Sequence, residues 1–382
     1  MNLRQQIDEL IAAAQAPAAV SCLRQLWAAE PSSTLAGFVV SRFEKLLGDP
    51  ALAASLPAFL PHRIAILRSF TVEPLVPLLR AAGFAAGLRL EIRLGEFNAW
   101  RQELLNPAGT IQDFDPDTVI AAVQTRDAAP ALWSYSSAEE ARDAADQAFG
   151  AVESAVSAFR GRSSANVIVH NFEQPVHLSQ GLFDSRQSGG QAALIHELNQ
   201  RLGALARAQR GVYVLDYEGL VARHGRTAWH DERKWLTVRQ PIAAPCLLAM
   251  VREWMRFLHP LTGKLAKVCV VDLDNTLWGG VIGEDGMSGI KLSAEYPGAA
   301  YQELQRALLD LYNRGILLAI ASKNNPADAM EALEQHPGML LKPSHFAAMQ
   351  IHWGPDSESL RAIAAELNLG IDTWHCKRAL RS

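Results

Sequence analysis

The sequence predicts an α/β protein with two doubly wound parallel-sheet domains behind a small N-terminal helical segment. Three observations carry that expectation. From His62 onward, short apolar, β-branched runs alternate with longer stretches of helical periodicity. A helical stretch over residues 241–260 interrupts the alternation, which begins again at Val268. Residues 1–58 show helical spacing and no strand signal. The expected domains are a helical segment at 1–58, an α/β domain at 59–260 and a second α/β domain at 261–382.

Composition sets the bounds. A chain of 382 residues, 49% apolar and 20% charged, has the make-up of a globular protein with more than one core. A formal net charge of −4 leaves no basic footprint for nucleic acid or an anionic membrane. Four scattered cysteines without a CxxC pair argue against a zinc site or disulfide framework. The first 17 residues read as an amphipathic helix rather than a signal peptide, and no apolar run has the length of a bilayer span. The expected location is the cytoplasm.

In the N-terminal segment Leu3, Ile7, Leu10 and Ile11 recur at helical spacing, followed by Val20, Leu23, Leu26 and Trp27, then Phe38, Val39, Phe43 and Leu46. Such helices either pack on the next domain or dock a partner. Strands are expected at 64–67, 88–94, 118–123, 166–170 and 212–216. Helices are expected at 72–82 with Thr71 as N-cap, at 138–160 with Ser137 and Glu140 as a capping box, and at 190–209. Ser69, Asn171 and Asp216 fall at strand ends, with His224, His230 and Asp231 downstream. That set suggests either an ester-hydrolase site or polar loop residues on a scaffold. Likewise His170–Pro175 and Trp229–Trp235 either line a substrate or carrier-protein surface, or place Trp229 and Trp235 under the sheet with solvated charges between.

The chemistry concentrates further on. Val268–Val271 reads as a buried strand that ends abruptly in Asp272-Leu-Asp274-Asn-Thr276. Carboxyl ends of parallel strands open onto the ligand crevice. There Asp272 has the chemistry to attack an electrophile or bind a cation, and Asp274 to carry a proton. The glycine-rich 278–286 stretch suggests a flexible hairpin over a pocket. A helix over 299–314 leads to a strand at 315–322 that ends in Ser322-Lys323-Asn324-Asn325. Cys269 should alternate away from Val270 and Asp272 into the core.

Val-Asp-Leu-Asp-Asn-Thr-Leu-Trp-Gly-Gly-Val-Ile-Gly-Glu-Asp-Gly at 271–286, with Ser-Lys-Asn-Asn at 322–325, resembles the FkbH-like HAD-IIIC subfamily of the HAD (haloacid dehalogenase) superfamily. Upstream, Ile64–Thr71, His170–Glu173 and Asp216–Leu220 extend the likeness to an SGNH-like domain preceding the HAD-like one. The resemblance implies Asp272 as a nucleophile forming an aspartyl-phosphate, Asp274 as general acid/base, and Mg²⁺ held by Asp272 and Asp274. It implies substrate or phosphate contacts from Thr276, Ser322, Lys323 and Asn324. The implied reaction dephosphorylates a phosphoglyceryl acyl donor and loads the glyceryl unit onto an acyl carrier protein in polyketide-type biosynthesis.

Two parts of that pattern differ. After the expected strand His345–Trp353, Asp356 stands where the resemblance expects Lys, and Lys342 precedes the strand. After Asp372 the chain reads Thr-Trp-His-Cys-Lys-Arg-Ala-Leu-Arg-Ser in place of an apolar strand and an acidic pair. The expectation is a truncated HAD-like domain whose Asp272 strand is left as a sheet edge. The alternatives are a catalytically impaired remnant that acts at most as a binding protein, or an SGNH-type ester hydrolase using Ser69.

Overall fold

The computed structural model describes residues 3–263 and 267–369 in full, and 374–377 as backbone. The chain divides into two compact units, residues 1–262 and 263–382.

The first unit is built on a five-stranded, all-parallel sheet. In chain order its strands are β1 (Leu60–Arg68), β2 (Leu88–Phe97), β3 (Thr118–Ala122), β4 (Asn166–His170) and β5 (Val212–Leu215). Their spatial order is β2-β1-β3-β4-β5. The inner strands β3 and β4 are near-continuous apolar runs because both faces are covered, whereas the edge strand β2 alternates apolar with charged residues. Ile64 and Ile66 of β1 enter one apolar cluster, and Ala65 and Leu67 enter the other. The helices Ala138–Arg160 and Gln191–Ala208 contribute Val156, Phe159, Leu194 and Leu198 to the second cluster.

The N-terminal helices Leu3–Ala12, Ala16–Ala29 and Ser33–Gly48 belong to the first cluster. Ile7, Leu23, Val39 and Leu46 are fully buried there. Each such side chain contributes roughly 1.5–3 kcal/mol, so this segment is part of the unit's core.

Two local capping signals resolve differently. Ser137 caps the Ala138–Arg160 helix by accepting from Glu140 N at 3.2 Å, while the Glu140 carboxylate is bonded by Ser136 instead of closing a box. Thr71 is not an N-cap. The helix it should cap is Leu75–Ala85, and Thr71 instead donates its N–H to Arg239 O at 2.8 Å and its hydroxyl to Val238 O at 2.5 Å. A partner 167 residues away has overridden the local option.

The second unit has a four-stranded parallel sheet of order β8-β7-β6-β9. Here β6 is Val268–Val271, β7 Leu317–Ser322, β8 Phe346–Ile351 and β9 Trp374–Lys377. Helices Gly298–Asn313, Pro326–Gln335 and Asp356–Leu367 make the connections. Two sequence expectations are corrected here. The stretch expected as a flexible hairpin contains the helical segment Ile282–Gly289, interrupted at Gly286. Strand β6 is not an edge: β9 pairs with it from Val268↔Trp374 to Val271↔Lys377. Parallel pairing uses backbone donors and acceptors that every non-proline residue carries, so a segment without an apolar run still completes the ladder. The expected absence of an acidic pair after Asp372 falls on residues 370–382, outside those described apart from the β9 backbone.

Candidate active site

Strands β6 and β7 are neighbours in register, with Val271 opposite Ile320. Asp272 and Ser322 therefore meet at their carboxyl ends, although 50 residues separate them. Ser322 Oγ donates to Asp272 Oδ1 at 2.6 Å, and Asn324 Nδ2 donates to Ser322 Oγ at 3.1 Å. Because a hydroxyl has one proton, accepting from Asn324 and donating to Asp272 fixes its direction. Asp272 Oδ1 also accepts from Leu273 N at 2.7 Å, so Oδ2 lies outside both bonds. Ser322 and Asn324 are buried, and Asp272 and Asp274 are partly exposed.

Asp274 is held by one oxygen. Its Oδ1 accepts from Trp278 Nε1 at 2.9 Å and from Ile282 N at 3.1 Å. The turn between them is self-locking. Leu277 N donates to Leu273 O, Gly280 N donates to the Asn275 side chain, and Asn275 N donates back to Gly280 O. Asn275 has φ +54° and Gly280 φ +97°. Asparagine tolerates the first value, whereas the second, beside Asp285, calls for glycine. Fully buried Gln305 secures the loop from below, donating to Leu277 O and accepting from Leu340 N and Leu341 N. Trp278 and Gln305 were missed as site supports; the i, i+4 position of Trp278 after Asp274 was the available signal for the first.

The remaining expected residues divide. Lys323, half-exposed between Ser322 and Asn324, pairs with Asp356, Nζ to Oδ1 at 3.4 Å. Thr276 sits in the same turn, and its buried Oγ1 has no hydrogen-bond partner in the protein. Lys342 caps the short Pro343–His345 turn before β8, with Nζ directed to Glu334 O, in keeping with its expected place at the wrong end of the strand. Cys269 lies in the apolar cluster with Val271 and Leu273, as strand alternation requires. No group of three or more His, Cys, Asp or Glu side chains with metal-binding placement occurs among the described residues. The Asp272 and Asp274 oxygens nevertheless suit a hard cation that completes its shell from phosphate and water, as Mg²⁺ does.

In the first unit the esterase constellation does not assemble among the described residues. Ser69 is 1% exposed, accepts from Gln124 N at 2.9 Å and is hydrogen-bonded to Asp127, whose carboxyl is raised by burial. Asp216 and Asp231 serve as helix N-caps, accepting from Gly219 N and Lys234 N. Asn171 bridges Asp216 and Glu218 N. His230 is buried, neither ring nitrogen has a partner, and burial drives its pKa down to about 4. Of the two readings of 170–175 and 229–235 the packed one fits, with Glu232 and Arg233 exposed between buried tryptophans. His170 and Glu173 are buried, Trp229 donates to Tyr217 Oη at 2.9 Å, and Trp235 packs against Arg126.

Comparison with known proteins now adds to this geometry. The model of the family described as FkbH, N-terminal domain, matches residues 63–258, just over half of the chain. The chain belongs to the FkbH family. The match lies within the first unit, so FkbH membership rests on residues other than the Asp272 site. A crystal structure of the N-terminal part of BF1531 from Bacteroides fragilis, described as containing a phosphatase domain complexed with Mg, is also similar. It aligns with a TM-score of 0.76 and 23% identity over 87% of this FkbH-family chain and 86% of its own. That likeness establishes a shared α/β fold. No curated protein matches the chain. No helix among the described residues is long and apolar enough to cross a membrane.

Proposed function

We propose that the second unit is a HAD-type phosphatase site working with Mg²⁺. The observation that carries this reading is the Asn324–Ser322–Asp272 hydrogen-bond chain, with Asp274 two residues on, at adjoining strand ends. The Mg²⁺ described for the BF1531 phosphatase-domain structure supports the metal.

In this reading Asp272 attacks phosphorus through a carboxylate oxygen as the bond to the leaving oxygen breaks. Asp274, protonated, gives its proton to that oxygen. It then takes a proton from the water that cleaves the aspartyl-phosphate, returning both residues to their starting states. Trp278 and Ile282 N hold Asp274 in place through Oδ1. Ser322 fixes the Asp272 rotamer, which favours one line of attack. Asp272 and Asp274 would hold Mg²⁺, which when bound neutralises charge on the phosphoryl oxygens.

The finer assignment is an FkbH-like, HAD-IIIC enzyme with an SGNH-like first unit. Its substrate is a phosphoglyceryl acyl donor, and its partner is an acyl carrier protein that receives the glyceryl unit. The motif residues at 271–286 and 322–325 support it.

The test is release of inorganic phosphate from an aryl phosphate and an acyl phosphate, with and without Mg²⁺. The expected result is Mg²⁺-dependent turnover, lost in Asp272→Asn by roughly 10³-fold or more, as for removal of a covalent nucleophile. Equal release by parent and Asp272→Asn would overturn the reading and leave an impaired remnant.

A further inference from the structure

We propose that Lys323 and Asp356 form an exchangeable ion pair at the mouth of the site: a bound phosphoryl group displaces the Asp356 carboxylate and takes over the Lys323 ammonium. This rests on the phosphatase reading above.

Lys323 lies between Ser322 and Asn324, the two residues whose side chains lead to Asp272. Its ammonium is 3.4 Å from the carboxylate of Asp356, the first residue of the Asp356–Leu367 helix after β8. Strands β7 and β8 are neighbours, so this lysine and acid come from adjoining strand ends. The two side chains are 50% and 44% exposed. An ion pair at that exposure is held weakly, and a phosphoryl dianion is a stronger partner for an ammonium than one carboxylate. The long lysine stem allows the head group to swing without moving the backbone.

Asp356 keeps its own stabilisation after release, because it occupies the first turn of a helix, where negative charge is favoured. A phosphoryl group entering beside Asp272 and Asp274 meets two acids, and transfer needs positive charge on its oxygens. Lys323, at the end of the strand that carries Ser322, offers such a charge among the described residues. Asp356 opposes binding by competing for it. The location of the ammonium matters more than the residue that carries it, and this makes the proposal testable by exchange.

The probe is inorganic phosphate with Mg²⁺, titrated calorimetrically against the full chain, with aryl phosphate hydrolysis in parallel. Lys323→Met should weaken phosphate binding about tenfold or more, as loss of a charge-assisted contact implies. Asp356→Asn should tighten it about twofold to fivefold and flatten its salt dependence, as removal of a weak competitor implies. Lys323→Asp should nearly abolish binding, and the double exchange Lys323→Asp with Asp356→Lys should restore most of it. A structural role for the pair would restore stability in the double exchange but leave phosphate affinity lost. Unchanged binding in Lys323→Met, or a double variant no better than Lys323→Asp, overturns the proposal while leaving phosphatase turnover intact. A parent that neither binds phosphate nor releases it from esters overturns both readings.

Discussion

Asp274 meets Trp278 Nε1 and Ile282 N on a single oxygen, so its orientation depends on an indole that takes no part in the chemistry. Trp278 is fully buried in the apolar cluster with Leu273, Leu277 and Ile282. Trp278→Phe removes the donor and keeps most of the packing. The expected outcome is retained folding and a fall in kcat of about tenfold, equivalent to ~1.4 kcal/mol, with KM little changed. Steady-state kinetics beside circular dichroism checks it, and an unaltered kcat would show that Ile282 N suffices. The sequence made Asp272, Asp274 and Ser322 legible because strand ends in a parallel sheet point one way. It did not reveal the Lys323–Asp356 pair, since no local pattern links residues 33 apart across two neighbouring strands. Nor did it show that Ser69 is enclosed, because burial at a strand end depends on the loops that fold over it.

At the scale of elements, most strands and helices were readable from periodicity, and the differences arose where a distant partner intervened. Thr71 left its expected cap for Arg239 and Val238. The glycine-rich stretch became partly helical, because its backbone is tied to Asp274 and Asp285. The largest difference is β9, which has no apolar run yet flanks β6 over four residue pairs. Ending the chain after residue 369 would expose the β6 edge, an invitation to intermolecular pairing. With a net value of about 1 kcal/mol per hydrogen bond, the loss should be roughly 2–4 kcal/mol. Light scattering and thermal unfolding of the shortened chain should show earlier aggregation and a lower midpoint. A shortened chain as stable and monodisperse as the parent would remove any structural role for β9.

For the whole molecule, the two units have separate apolar cores, and they carry different electrostatic liabilities. The first unit buries three histidines, His62, His170 and His230, and burial lowers the pKa of each. Trp254 Nε1 donates to His170 Nε2, which places the ring proton on Nδ1, and burial lowers the His170 pKa to about 3. Burial lowers His230 to about 4, with Arg126 adding to the effect. An unfolded histidine titrates near 6.5. Protonation therefore favours the unfolded chain as soon as pH drops below that value. The stabilisation from keeping these rings neutral is complete above pH 6.5 and is lost progressively toward about pH 4 and pH 3. Each ring lowers stability by up to about 1.4 kcal/mol per pH unit in that window. In the second unit His336 is lowered in the same direction by burial. Calorimetry between pH 7 and pH 4.5 should resolve two transitions, the one from the first unit moving down in temperature more steeply. Phosphate with Mg²⁺ should raise the other transition and leave the acid-sensitive one in place. His230→Gln should flatten the acid slope of the first unit. A single transition moved equally by acid and by phosphate would mean that the units unfold as one, and that the acid response cannot be assigned to His170 and His230.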